Sequence, residues 1–115
     1  MIKEIAIMHA QSELEIAEQA LRIGNIGKVR VCARRACSYI LSYWCEINKE
    51  YQWGNNAVKL LEGVRDELKI PENIRNAAHR LTAKVNQNFS TGYDENPIED
   101  AKTIIDYFLI QTDKQ

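Results

Sequence analysis

Apolar residues recur at intervals of three and four along most of this 115-residue chain, a period that predicts helices, and no alternating valine-rich run predicts a strand. From Ile2 to about Ile23, the positions Ile7, Ala10, Leu14, Ala17 and Leu21 form one stripe, which Ile2, Ile5 and Ile16 widen. Gly24-Asn25-Ile26-Gly27 stops this first helix, because glycine and asparagine accept the left-handed backbone of a helix end. A second helix is expected over about Lys28 to Glu50, with Ala33, Ala36, Ile40, Tyr43 and Ile47 inward and Cys37, Leu41, Trp44 and Cys45 on the flank.

The segment 51–56 breaks the period, and a third helix of about three turns follows from Ala57 to Leu68. It carries Ala57, Leu60, Leu61, Val64 and Leu68 inward, with Gly63 lowering its intrinsic stability. Pro71 and Glu72 suit the first turn of a fourth helix reaching Asn86, with Ile74, Ala77, Ala78, Leu81 and Val85 on the core side. Residues 88–95 read as a loop that Phe89 and Tyr93 would pin. Asn96-Pro97-Ile98-Glu99 then reads as an N-cap, a first-turn proline and a capping-box acid, opening a fifth helix to about Gln111 with Ala101, Ile104, Ile105 and Phe108 inward. The expected fold is all-α, an antiparallel four- to five-helix up-and-down bundle forming a single domain over 1–115.

Composition narrows the function classes. Hydrophobic residues at 45% and charged residues at 27% are those of a folded chain. A formal net charge of -1 gives no global attraction to nucleic acid, so polyanion binding would need a local patch. The N-terminal Met1-Ile2-Lys3-Glu4 carries charge early, and no long apolar run follows. No signal peptide or membrane span is therefore expected, and a cytoplasmic location is the default. Cys32, Cys37 and Cys45 share one helix at spacings of five and eight, which fit neither a zinc site nor an internal disulfide. Buried free thiols are expected.

Few residues carry candidate chemistry. On the fourth helix Arg75, His79, Thr82 and Asn86 fall on one side of the core stripe, where arginine can hold a phosphate and histidine can move a proton. Taken alone, this pattern also describes the edge of a solvated helix. The start of the second helix is basic, with Lys28, Arg30, Arg34 and Arg35, an end with the chemistry to bind phosphate, although a solvated flank pairing with acids elsewhere is the favoured reading. His9 lies beside Ile2, Ile5 and Ile16 and reads as a semi-buried structural residue. Tyr39, Tyr43, Trp44 and Trp53 at helical spacing read as core side chains. No paired-histidine metal motif and no glycine-rich phosphate loop is present, so neither metal nor cofactor is expected.

Several of these features together resemble the HEPN domain, the nucleotide-binding helical domain of higher eukaryotes and prokaryotes. They are the long first helix ending in a Gly-Asn turn, the Ala33-Arg34-Arg35-Ala36-Cys37-Ser38-Tyr39 run, the short third helix before Pro71 and the closing helix over Ile98 to Leu109. The resemblance covers nearly the whole chain. Many members of that family are dimeric ribonucleases or toxins paired with a small nucleotidyltransferase, and others bind nucleotides or RNA without catalysis. The family signature is an arginine, a polar residue and, after four to six intervening residues, a histidine. Arg75-Asn76 matches its opening, and His79 follows after three.

The resemblance implies that Arg75 holds a scissile phosphate, Asn76 orients it and His79 transfers a proton. The shortened spacing rotates His79 by about 100° on the helix relative to the family arrangement. The loop 89–93 also lacks the Arg-Tyr-Pro run of one branch of the family. The expectation is therefore a homodimeric domain that binds a nucleotide, RNA or a nucleotidyltransferase partner through Arg34, Arg35, Thr82 and Asn86, with a degenerate catalytic motif. The alternatives are a metal-independent endoribonuclease using Arg75 and His79, and a protein-interaction module without a nucleic-acid role.

Overall fold

Among the described residues there are five helices: α1 (Lys3–Arg22), α2 (Ile26–Ile47), α3 (Ala57–Asp66), α4 (Glu72–Thr82) and α5 (Pro97–Asp113). This computed structural model describes residues 1–84 and 95–114, and among them there is no strand. The expected all-α bundle is present. Helix α2 is its central member and packs against α1, α5 and α3, while α4 bridges α3 and α5.

Each turn has a local chemical cause. At the end of α1, Gly24 adopts φ +75°, Gly24 N donates to Leu21 O at 3.1 Å and Asn25 N donates to Ala20 O at 2.9 Å. This closed arrangement satisfies carbonyls the helix leaves open, and it needs glycine at the left-handed position. Asn25 then starts α2, its side chain accepting from Lys28 N at 3.2 Å. Asn56 caps α3 by accepting from Lys59 N at 2.9 Å, and Asn96 caps α5 by accepting from Ile98 N at 2.9 Å, with Pro97 in the first turn. Glu99 pairs with Lys102 at 3.8 Å, on the surface.

The core joins Ala33, Ala36, Ile40, Leu41 and Trp44 of α2 to Leu60, Leu61 and Val64 of α3, Ile74, Ala77, Ala78 and Leu81 of α4, and Ala101, Ile104, Ile105 and Phe108 of α5. A satellite cluster of Ala17, Ala20, Val29, Cys32 and Ile98 closes the α1–α2 turn. Trp53 packs flat on Gly63, where a Cβ would lie 2.1 Å from Trp53 Cγ. The same indole stacks on Trp44 at 5.3 Å, with Phe108 edge-on to Trp44 at 5.0 Å. Gly63 thus trades helix propensity for an aromatic seat.

The structure corrects several expectations. The buried face of α1 is Ala6, Ala10, Ala17 and Ala20, while Ile2, Ile5, Met8, Ile16, Leu21 and Ile23 are exposed. A line of methyl groups lets α1 sit close to α2, and the larger side chains are left outside. Ile47 and Leu68, read as inward, are exposed, because α2 ends at Ile47 and α3 ends at Asp66. Helix α4 ends at Thr82, four residues before the expected Asn86. Val85, Asn86, Phe89 and Tyr93 lie outside the described residues. His9 is exposed and stacks on Tyr39 at 4.8 Å. The cysteines are free, with Cys32 and Cys37 buried and Cys45 half-buried.

Candidate nucleic-acid interface

The end of α4 is held by α2. Arg30, 8% exposed, donates through its two Nη atoms to the carbonyl oxygens of Arg80, Leu81 and Ala83, the shortest contact being Nη2 to Ala83 O at 2.8 Å. Arg34, one turn later, donates from Nη1 to Leu81 O at 3.3 Å. Two guanidinium groups at the negative end of a helix satisfy carbonyls that would otherwise be buried without donors. Burial pushes both guanidinium pKa values down. At Arg30 the neighbouring charge of Arg34 acts in the same direction and Asp100 opposes it. Both remain cations, since arginine is not deprotonated in proteins.

For Arg30 and Arg34 this overturns the reading of the basic stretch as a solvated flank paired with acids, while Lys28 and Arg35 are exposed. Arg30 and Arg34 lie four apart on one face of α2 and meet backbone carbonyls, whereas Arg35 is exposed on another face. The acid nearby, Asp100, is paired by Arg80 instead. Nε and Nη2 of Arg80 reach Oδ2 and Oδ1 of Asp100 at 3.0 and 2.8 Å, a bidentate pair that ties α4 to α5 with Asp100 5% exposed.

In front of these two arginines lies a groove of about 920 Å³. The α1–α2 turn, Val31 and Arg34 of α2, Val58 and Glu62 of α3, and Thr82 and Lys84 at the end of α4 line it. Only Nη1 of Arg34 has an acceptor among the described residues, so its other nitrogens stay available. Thr82 Oγ1 lies 3.0 Å from Ala78 O and 3.1 Å from His79 O, to which it donates its single proton, leaving its oxygen open as an acceptor. Ile26, Val31 and Val58 are apolar yet 41–47% exposed, and all three face this groove. The site therefore combines cations, one carboxylate and apolar walls.

The expected residues divide. Arg34 and Thr82 come together in the groove. Arg75, His79 and Thr82 share one side of α4, as the helical count expects. Arg75 is half-buried, its Nε donating to Ile70 O at 2.9 Å, whereas Asn76 and His79 are exposed. Asn76 is rotated by about 100° from Arg75 and so points away from that side. Arg35 does not line the groove, and Asn86 is outside the described residues.

Lys84, Glu62, Val31 and Val58 were not singled out by sequence, and Arg30 was read only as one member of the basic stretch. The spacing of Arg30 and Arg34 was the available signal, since residues four apart share a face and adjacent ones do not.

Other chemistry finds little support among the described residues. No group of three or more His, Cys, Asp or Glu side chains could hold a metal, and no helix is long and apolar enough to cross a membrane. Cys37 is fully buried, and its thiol is pushed far up by burial and by the charge of Asp100, so it is a poor nucleophile. The chain has no significant match to a protein-family model, a curated protein or a solved structure.

Proposed function

We propose that this chain is a HEPN-like helical domain that binds a nucleotide or RNA in the groove between α2, α3 and the end of α4, without efficient catalysis of its own. The convergence of Arg34 and Thr82 with Lys84 in that groove carries the reading. It supplies the local cationic patch that a chain of net charge -1 needs in order to hold a polyanion. Thr82 also continues the Arg75–His79 side of α4, so a strand leaving the groove would pass along that edge.

Catalysis is a poorer fit than binding. Nε of Arg75 is tied to Ile70 O, and His79 is exposed on a helix side open to water. General acid–base chemistry on a phosphodiester needs both groups aimed at one reacting atom.

The proposal extends to assembly and location. The exposed stripe of Ile5, Met8, Ile16 and Ile23 falls along one side of α1 with no charged residue among them, which suits a homodimer contact. A small nucleotidyltransferase is the expected protein partner and the cytoplasm the expected location.

The test is a titration of the purified protein with short single-stranded RNA, scoring binding and cleavage together for wild type, Arg75→Ala and His79→Ala. Binding without cleavage in all three supports the proposal. Cleavage lost in both variants would make the short-spaced motif a working active site, and absence of binding would redirect the search to a protein ligand.

A further inference from the structure

The groove holds opposite charges that do not pair with each other. Glu62 lines it and has no ion pair among the described residues, although Arg34 lines the same groove and retains nitrogens without acceptors. Each wall repeats one arrangement. On α2, Val31 and Arg34 are three apart, and on α3, Val58 and Glu62 are four apart, so each helix presents one apolar side chain and one charged group on a shared face. A ligand that satisfies both walls combines an apolar body with an anionic group for Arg34 and hydrogen-bond donors for Glu62.

We infer that the groove selects guanine: Val31 and Val58 flank the base, the Glu62 carboxylate accepts from its N1–H and N2 amino group, and Arg34 with Lys84 holds the attached phosphate. This deepens the nucleotide-binding proposal and rests on it. Guanine presents two adjacent donors on one edge, matching the two oxygens of a carboxylate. Adenine and cytosine each place a ring acceptor beside a single amino donor, and uracil flanks its one N–H with carbonyls, so each would set a lone pair against Glu62. The groove of about 920 Å³ falls within the range that accommodates such ligands.

The experiment compares guanosine, adenosine and inosine 5′-monophosphates by calorimetry. The methyl resonances of Val31 and Val58 report where each binds, and wild type is compared with Glu62→Gln. The expected result is shifts at both valines, guanosine monophosphate binding at least about fivefold tighter than the adenosine form, and inosine monophosphate, which lacks the N2 amine, in between. Glu62→Gln should abolish the preference while both nucleotides still bind. Equal affinities with the valine methyls still shifting would overturn guanine selection and leave the nucleotide-binding proposal standing. No shift with any nucleotide or oligonucleotide would overturn both. A parallel arm with short RNA carrying one guanine, or none, separates the sources. Tighter binding of the guanine oligonucleotide than of the mononucleotide assigns the site to RNA and the reverse assigns it to free nucleotide, while guanine readout in RNA requires the guanine oligonucleotide to bind more tightly than the guanine-free one, and equal binding of the two would overturn it.

Discussion

Arg30 Nη2 donates to Ala83 O at 2.8 Å across a separation of 53 residues, so an arginine in the second turn of α2 terminates α4. The contact orients the edge of the groove, because Thr82 and Lys84 flank Ala83 and Arg34 shares the Leu81 carbonyl with Arg30. Binding geometry and helix termination are therefore coupled through one buried cation.

Replacing Arg30 tests that coupling. Arg30→Leu removes the donors to three carbonyl oxygens and should destabilise the fold by about 2–3 kcal/mol in urea unfolding. Arg30→Lys should recover only part of this loss, because an ammonium cannot reproduce the planar fork. Equal stability of all three proteins would remove the arginine from this role.

Gly63→Ala is expected to destabilise the protein by about 1–3 kcal/mol, although alanine favours a helix by about 1 kcal/mol over glycine. The added methyl would sit 2.1 Å from Trp53 Cγ, so the indole must leave its seat against Trp44. Tryptophan fluorescence should shift with the loss of stability. In a Trp53→Ala background the same substitution should become neutral or stabilising.

The α1 faces make opposite predictions. Ile16→Ser should change folding stability by no more than about 0.5 kcal/mol, whereas Ala17→Leu should cost about 1–3 kcal/mol by overpacking the contact with α2. Chemical denaturation of each variant at protein concentrations low enough to exclude assembly checks both.

Cys37 gives a pH dependence. Burial, and secondarily the charge of Asp100, raises its folded-state pKa above the ordinary 9.0. The folded protein then keeps a proton that the unfolded chain releases, so the contribution is complete below about pH 9 and is lost as pH rises beyond it. Wild type should lose about 1.4 kcal/mol per pH unit above that point relative to Cys37→Ala. Parallel stability curves for the two proteins would contradict this assignment.

Where side-chain size and burial agree, the fold was legible from periodicity. Ile74, Ala77, Ala78 and Leu81 of α4, and Ala101, Ile104, Ile105 and Phe108 of α5, are buried as their spacing predicts. On α1 the two signals separate. Its large aliphatic residues suggested an inward stripe, yet close approach to α2 selects the alanines and turns Ile5 and Ile16 outward. Hydrophobicity predicts burial only when the neighbour leaves room for the side chain.

The site was legible in part for a related reason. Arg34 and Thr82 were named from charge and helical position. Glu62, Val31 and Val58 look like ordinary surface residues until α3 is set against α2. Arg30 resembled its solvated neighbours because its partners are backbone carbonyls, which leave no mark on side-chain pattern.

The central claim, that the groove beside Arg34 binds a nucleotide or RNA through its phosphate, is tested most directly by titrating labelled single-stranded RNA and a mononucleotide at several salt concentrations against wild type, Arg34→Ala and Arg35→Ala. The two arginines are adjacent in sequence, and only Arg34 faces the groove. Arg34→Ala should weaken binding about tenfold and lower the salt slope by about one, with Arg35→Ala close to wild type. Equal losses in the two variants, or no binding of either ligand by wild type, would contradict the account.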